Sequence, residues 1–325
     1  MNTNHNKLFF IPLLALGLGL TACNDDEDND VDPAPGPTQN IVQIASGNPD
    51  FSILADALTQ AGLISTLQGS GPFTVFAPDN VAFNTFFDNN EILDTDSDGS
   101  RVDDLIGALG AEAVQQTLLY HVLGGEVRAA DVPLKGYVTT SSTLSPGNEQ
   151  LSLLAEARST GVILNNTADV TAADILATNG VIHRINAVLT LPDITDHAIN
   201  NPADLSALVN AVVLTGLLPT LSNPDATFTL FAPTNAAFAL APAGLTNQQL
   251  STVLTYHVLD TQVRSEDITS GSVNTVAGQA FTITASAEGV TILDTAGNLV
   301  NVILINIQGT NGVVHLIDGV LIPVL

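Results

Sequence analysis

The sequence predicts an α+β protein built from two tandem copies of one domain. Three stretches occur twice, in the same order. "GPFTVFAPDNVAF" begins at Gly71 and returns from Ala226 as "ATFTLFAPTNAAF", and "LLYHVL" begins at Leu118 and returns from Leu254 as "LTYHVL". "NGVIHRINAVL" begins at Asn179 and returns from Asn311 as "NGVVHLIDGVL". Because the spacing between partners shrinks steadily along the chain, the copies are colinear and the first is the longer one.

The front half of each copy is predicted to be mainly helical. Apolar residues at helical spacing follow Phe51 in the first copy and Leu205 in the second. The short β-prone runs "FTVF" and "FTLF" then stop at Ala-Pro. Asp79 and Thr234 follow at the position where an N-cap residue opens a helix.

The back half of each copy is predicted to consist of strands. The stretches "LSLLAEARSTGVILNN" and "FTITASAEGVTILDT" are β-prone runs, each divided by a turn at Gly161 or Gly289. The Asn-Gly pairs at Asn179 and Asn311 have the chemistry of a hairpin turn and precede the last alternating strand of each copy. Helices followed by strands in each copy indicate the α+β class.

Residues 1–22 are predicted to be a lipoprotein signal peptide. Residues 8–20 form an apolar run that is too short to span a bilayer, and "LTAC" ends at Cys23, the only cysteine. The alternative is an ordinary signal peptide followed by a free thiol. Residues 23–40 are acidic and then rich in proline, so they are predicted to form a flexible tether behind a lipidated Cys23.

The charge of the chain excludes some classes of partner. There are 33 acidic and seven basic residues, giving a formal net charge of −26. Nucleic-acid backbones and anionic lipid surfaces would repel such a chain. The predicted contact with a membrane is therefore the N-terminal lipid, and the predicted location is the cell envelope, on the outer membrane and facing the periplasm or the cell surface.

The repeated motifs "FTVFAPDNVAF", "YHV" and "TNGVIHRINAVL" resemble those of the fasciclin domain, an adhesion module. The resemblance covers nearly everything from Ile41 onward, and we place the two domains at residues 41–192 and 193–325. It implies that each domain is a wedge-shaped antiparallel β-sandwich flanked by α-helices. One departure is an acidic insert in the first domain, at about residues 88–106.

The repeated histidines and tyrosines are predicted to be framework residues. Each histidine is flanked by apolar residues, and no sequence motif for a nucleophile, a zinc site or a phosphate loop is present. The resemblance implies the same for the Tyr-His pairs. His197 has no counterpart and lies in the segment that joins the domains. The predicted framework set is Tyr120, His121, His183, Tyr256, His257 and His315.

The acidic insert contains a candidate calcium loop. In "DTDSDG" the carboxylates of Asp94, Asp96 and Asp98 occupy alternate positions before Gly99, which is how calcium loops begin. Leu105 stands where a bidentate Glu is expected, although acidic residues lie next to it. The alternative is a solvated acidic loop without an ion. No other cofactor is predicted.

The resemblance also points to one candidate adhesion site. In animal fasciclin proteins an Asp-Ile pair just before the Asn-Gly turn is associated with integrin adhesion, and Asp174 and Ile175 match that pair. The second copy has Asn306 and Ile307 instead. The alternative is a capped turn with a buried isoleucine.

Together these features predict a lipid-anchored, non-catalytic adhesion and interaction protein of the cell envelope. Its expected partner is a cell-surface or matrix protein or a glycan, and not a nucleic acid. The alternative is a periplasmic protein that binds a polysaccharide or a small molecule, which would require a concave pocket with convergent polar groups. An enzyme would have to be built around His197 or the insert.

Overall fold

Each of the two repeats folds into one seven-stranded sheet with helices packed against it. The computed structural model describes residues 36–95 and 99–325. Cys23, the predicted signal peptide, most of the predicted tether, Asp96 and Asp98 lie outside the described residues. Pro37–Leu325 form one compact unit that contains both repeats. No helix within the described ranges combines the length and the apolar character that crossing a membrane requires.

The first repeat begins with helices and ends with strands, as the sequence predicts. The capping box between Asn40 and Gln43 opens the first helix, and the Asp79 side chain caps the helix after the first strand. The elements are α1 (Ile41–Gly47), α2 (Ser52–Gln60), α3 (Ile64–Leu67), β1 (Phe73–Pro78), α4 (Asn80–Asn89), α5 (Val102–Leu109), α6 (Ala111–Tyr120), β2 (Val122–Gly124), β3 (Gly136–Thr139), β4 (Ser152–Arg158), β5 (Gly161–Leu164), β6 (Ala168–Ala177) and β7 (Gly180–Ile185).

The second repeat has the same order of elements, except that it has no counterpart of α5. Thr234 caps the helix after its first strand, which confirms the predicted N-cap. The elements are α7 (Ile194–Ile199), α8 (Pro202–Leu214), α9 (Leu218–Leu221), β8 (Phe228–Pro233), α10 (Asn235–Phe238), α11 (Asn247–Tyr256), β9 (Val258–Leu259), β10 (Gly271–Asn274), β11 (Ala280–Ser286), β12 (Gly289–Leu293), β13 (Leu299–Gly309) and β14 (Gly312–Ile317).

The two sheets have the same topology. Their strand orders are β2-β1-β7-β6-β5-β4-β3 and β9-β8-β14-β13-β12-β11-β10. Neighbouring strands are antiparallel except for one parallel pair in each sheet, β1 with β7 and β8 with β14. Strands 1 and 7 of a repeat are joined through the whole rest of the domain, and such a long connection permits parallel pairing. The expected antiparallel pairing therefore holds between all neighbouring strands except this one pair in each sheet.

The first strand of each repeat separates two apolar cores. In β1, Val75 and Ala77 belong to the core between the sheet and the helices, whereas Phe76 belongs to the core enclosed by the strands. In β8, Leu230 and Phe231 divide in the same way. Both faces of these strands are buried, which explains why they read as continuous apolar runs instead of alternating ones.

The insert of the first repeat is partly a helix. α5 buries Val102 and Leu105 in the helical core and carries Asp103 and Asp104 in its first turn, where carboxylates stabilise the helix dipole. The composition of this stretch predicts only an acidic insert. Val102, Leu105, Ile106 and Leu109 are nevertheless at helical spacing, and this is the signal in the sequence for the helix.

The domains meet through the β3–β4 region of the first and α7 and β13 of the second. The Ser152 hydroxyl accepts from the Gln308 backbone N–H at 2.9 Å, and the Tyr137 ring packs edge-on against the His197 ring at 5.6 Å between centroids. Lys135 pairs with Asp204 at 2.7 Å at the rim. Arg264 forms a second ion pair across the interface with Glu149.

Candidate functional site

The Tyr-His pairs join the end of a helix to the chain segment that follows the last strand. His121 ends α6, where Nδ1 donates to the Thr117 carbonyl at 2.7 Å and Nε2 accepts from the Leu189 N–H at 2.9 Å. His257 has equivalent bonds to Val253 and Leu321, at 2.7 and 2.9 Å. Burial lowers the pKa of both imidazoles to about 4, so they are neutral at pH 7. These rings act as hydrogen-bonded braces.

The neighbouring tyrosines brace the strands in the same way. The Tyr120 hydroxyl donates to the Ser152 carbonyl at 2.8 Å and accepts from the Asn165 amide at 3.0 Å. The Tyr256 hydroxyl donates to the Ala280 carbonyl at 2.9 Å. Both rings are fully buried, and burial raises the pKa of both phenols. Neither phenol is available as an acid or base near neutral pH.

The second pair of repeated histidines holds a bulge in the strand before the Asn-Gly turn. His183 Nδ1 accepts from the Asp174 N–H at 3.2 Å, and Nε2 donates to the Val127 carbonyl at 2.9 Å. His315 has the same contacts with Asn306 and Val263. Each bulge residue has a positive φ, 58° for Asp174 and 59° for Asn306, which Asp and Asn tolerate better than most residues.

The Asp-Ile pair lies in this bulge and is partly accessible. Asp174 Oδ1 accepts from the Ala129 N–H at 3.0 Å, and its side chain remains 39% exposed. Ile175 is half-buried against the helical core. In the second domain Asn306 Oδ1 accepts from the Ser265 N–H at 2.8 Å in the same manner. The bulge therefore orients a short polar side chain towards the loop that the histidine also contacts.

The two bulges differ in the residues that they expose. Residues 171–173 of the first domain are Thr-Ala-Ala, whereas the equivalent residues 303–305 of the second are Ile-Leu-Ile. Ile303, Leu304 and Ile305 are 55%, 39% and 45% exposed. Three consecutive exposed aliphatic residues are costly in water and are typical of a contact surface.

His197 lies in the interface between the domains. It occupies the position that Ile44 has in α1, and Nε2 donates to the Gln308 carbonyl at 2.9 Å. Burial lowers its pKa to about 4, and among the described residues Nδ1 has no hydrogen-bond partner. The imidazole thus packs α7 against β13 and Tyr137. This location explains why the first domain has no equivalent histidine.

Sequence reasoning missed the role of the Asn-Gly pairs. The Asn179 side chain accepts from the Ile41 N–H at 3.0 Å and donates to two carbonyls at the C-terminal end of α3. Asn311 repeats this pattern with Ile194. The turn is present as predicted, but the buried amide also ties it to the first helix. The signal in the sequence was that both copies have Asn at this position, although other residues can also form the turn.

The glycine after each asparagine permits close packing of the parallel pair. Gly180 and Gly312 have φ of 148° and 147°. A Cβ atom at either position would lie 1.9 or 2.0 Å from the carbonyl oxygen of Phe73 or Phe228. These distances are far below van der Waals contact, so only glycine fits.

The predicted calcium loop is described only in part. Asp94 Oδ2 accepts from the Gly99 N–H at 3.1 Å, and Asp104 accepts from the Thr95 N–H at 3.2 Å. These bonds close the loop at its base. The described ranges contain no cluster of three metal-ligating side chains, and the remaining predicted ligands, Asp96 and Asp98, fall outside them.

A family model and a solved structure each match this chain over most of its length. The family model of the Fasciclin domain matches residues 49–192 and 203–323, so both repeats are covered. A solved FAS1 domain pair from the insect cell adhesion molecule fasciclin I aligns over 87% of this chain and 95% of its own, with a TM-score of 0.44 and 19% sequence identity.

Several curated proteins are similar in sequence. Human periostin is 31% identical over 265 residues, which cover 79% of this chain and 29% of periostin. Transforming growth factor-beta-induced protein ig-h3 of Sus scrofa is 30% identical over 266 residues, 79% of this chain and 35% of that protein. The chain thus spans about a third of these animal relatives. Protein sll1483 of Synechocystis is 34% identical over 152 residues, 47% of this chain and 73% of its own length. The chain belongs to the fasciclin domain family.

Proposed function

We propose that the chain is a non-catalytic adhesion and interaction protein of the cell envelope, anchored by a lipid on Cys23. The observation that carries the proposal is the family match over both repeats. The "LTAC" sequence and the acidic, proline-rich stretch behind it support the anchor and the tether. The histidines of the described region are occupied by backbone contacts, which supports a binding role over a catalytic one.

The contact surface that we propose comprises the two strand bulges. The first domain offers the partly exposed carboxylate of Asp174 beside Ile175, and the second offers the aliphatic residues 303–305. A carboxylate and an aliphatic patch recognise different features of a partner. Two different faces on one compact unit allow both domains to engage the same partner, and the effective concentration of the second contact then raises the overall affinity.

Adhesion of beads coated with the full chain tests the proposal. Beads would be offered to producing cells, to matrix-coated surfaces and to each other. We expect saturable adhesion that falls when Asp174→Ala and Ile305→Ser are combined. Val276→Ser, a change at an exposed aliphatic residue in the loop between β10 and β11, serves as the matched control. Absence of adhesion to every surface, or full adhesion by the combined Asp174→Ala and Ile305→Ser variant, would contradict the proposal.

A further inference from the structure

Each domain has a groove at the same place in its fold. In the first domain the groove lies between α4, the turn before β6 and the segment after β7, and has a volume of about 280 Å³. In the second it lies between α10, the turn before β13 and the segment after β14, and has a volume of about 270 Å³. Both volumes are close to the lower limit of small-ligand pockets, roughly 300 Å³.

The linings of these grooves differ although their positions correspond. Thr85, Thr167 and Thr190 of the first groove are replaced in the second by large aliphatic residues, Leu240, Leu299 and Ile322. The first groove therefore has hydroxyl and amide groups around its rim, and none of the side chains that line it carries a charge. The second groove lacks these hydroxyl groups, and its lining includes the carboxylate of Asp318.

Several polar groups of the first groove are free to bind a ligand. Within residues 36–95 and 99–325, the Asn89 amide and the Thr190 hydroxyl make no hydrogen bond, and both side chains are exposed. The Asn90 amide donates to the Phe86 carbonyl at 2.8 Å, which leaves its own oxygen to accept. Donors and acceptors thus stand side by side on the rim.

Phe86 adds an apolar surface to the same groove. Its ring is half-buried and packs against Phe87 with 6.3 Å between centroids, so its position is held by the core. In the second domain the equivalent residue is Ala241. A flat apolar ring surrounded by neutral donors and acceptors is complementary to a pyranose, which has an apolar C–H face and a rim of hydroxyl groups.

Building on the proposed interaction role, we propose that the groove of the first domain binds a neutral saccharide and that the second groove does not. A charged ligand is disfavoured because the lining offers neither a cation nor a carboxylate, and the net charge of −26 repels anionic glycans. The volume of the groove fits one end of a glycan, so binding is expected to be weak at a single site.

Calorimetric titration of the full chain tests this assignment. The probes are cellobiose, maltose and N,N′-diacetylchitobiose, with a galacturonate disaccharide as the anionic contrast, in a detergent that contains no sugar. We expect saturable binding of a neutral disaccharide at millimolar concentration and none of the galacturonate. Combining Asn89→Ala with Thr190→Ala should weaken binding about tenfold, the loss expected for two neutral hydrogen bonds.

The control places two changes on the rim of the other groove. Leu240→Ala combined with Leu299→Ala alters exposed residues of the second domain and should leave the dissociation constant unchanged. The assignment is overturned if no neutral probe binds, if the first-groove variant binds as tightly as the wild type, or if the second-groove variant loses binding equally. Bead adhesion that persists without sugar binding would overturn the groove assignment alone and leave the adhesion role intact.

Discussion

Replacing His257 with alanine should destabilise the second domain by about 2–4 kcal/mol. The change removes a buried ring that satisfies the Val253 carbonyl and the Leu321 N–H. Each buried backbone group left without a partner costs about 1–3 kcal/mol, and entry of a water molecule into the space of the ring recovers part of that. The expected value lies below the sum of two full penalties for this reason.

Urea unfolding followed by far-UV circular dichroism measures this loss, because the chain has no tryptophan. His121→Ala, which removes the equivalent brace, should cost a similar amount in the first domain. Gln248→Ala on the exposed face of α11 is the surface control and should change stability by less than about 0.5 kcal/mol. A loss of less than about 0.5 kcal/mol for His257→Ala would refute the bracing role.

The same histidine contributes to the dependence of stability on pH. The pKa of His257 is about 4 in the folded protein, whereas the unfolded chain keeps the ordinary value of 6.5. Between pH 4 and pH 6.5 the unfolded chain therefore binds a proton that the folded chain does not. Stability is therefore full above pH 6.5 and falls as the pH drops towards 4, by up to about 3 kcal/mol for this histidine. The stability of His257→Ala should decline less steeply with falling pH. The decline that is left comes from His121 and His197, whose pKa values are also lowered by burial. Equal slopes for wild type and variant would contradict this reasoning.

Three further outcomes are expected. Mass spectrometry of the N-terminal peptide should find a diacylated or triacylated Cys23, and an unmodified cysteine would exclude the anchor. Calcium at millimolar concentration should raise the melting temperature of the wild type more than that of Asp96→Ala, since binding to the folded state stabilises it. Gly312→Ala should destabilise by more than about 2 kcal/mol because its Cβ would lie 2.0 Å from the Phe228 oxygen, whereas Gly107→Ala, with open space around it, should not destabilise.

The sequence by itself determined the features that depend on neighbouring residues. The duplication can be seen in the sequence because both copies keep the same motifs in the same order. The helices after Phe51 and Leu205 and the N-caps at Asp79 and Thr234 follow from local spacing and local hydrogen bonds, and all are present. The hairpin turn at Gly161 is also as predicted. These features were predictable because their physical causes lie within a few residues of one another.

Tertiary structure alone decided the features that join distant parts of the chain. The parallel pairing of β1 with β7 and the tie between Asn179 and Ile41 connect residues more than a hundred positions apart. The burial of His197 depends on contact between the domains. Each groove is formed by three separate segments of the chain. The linings of the two grooves can be compared only once the fold places Thr85 and Leu240 at equivalent positions. A repeat in sequence predicts two equal folds, whereas the surfaces that those folds expose depend on which distant residues packing brings together.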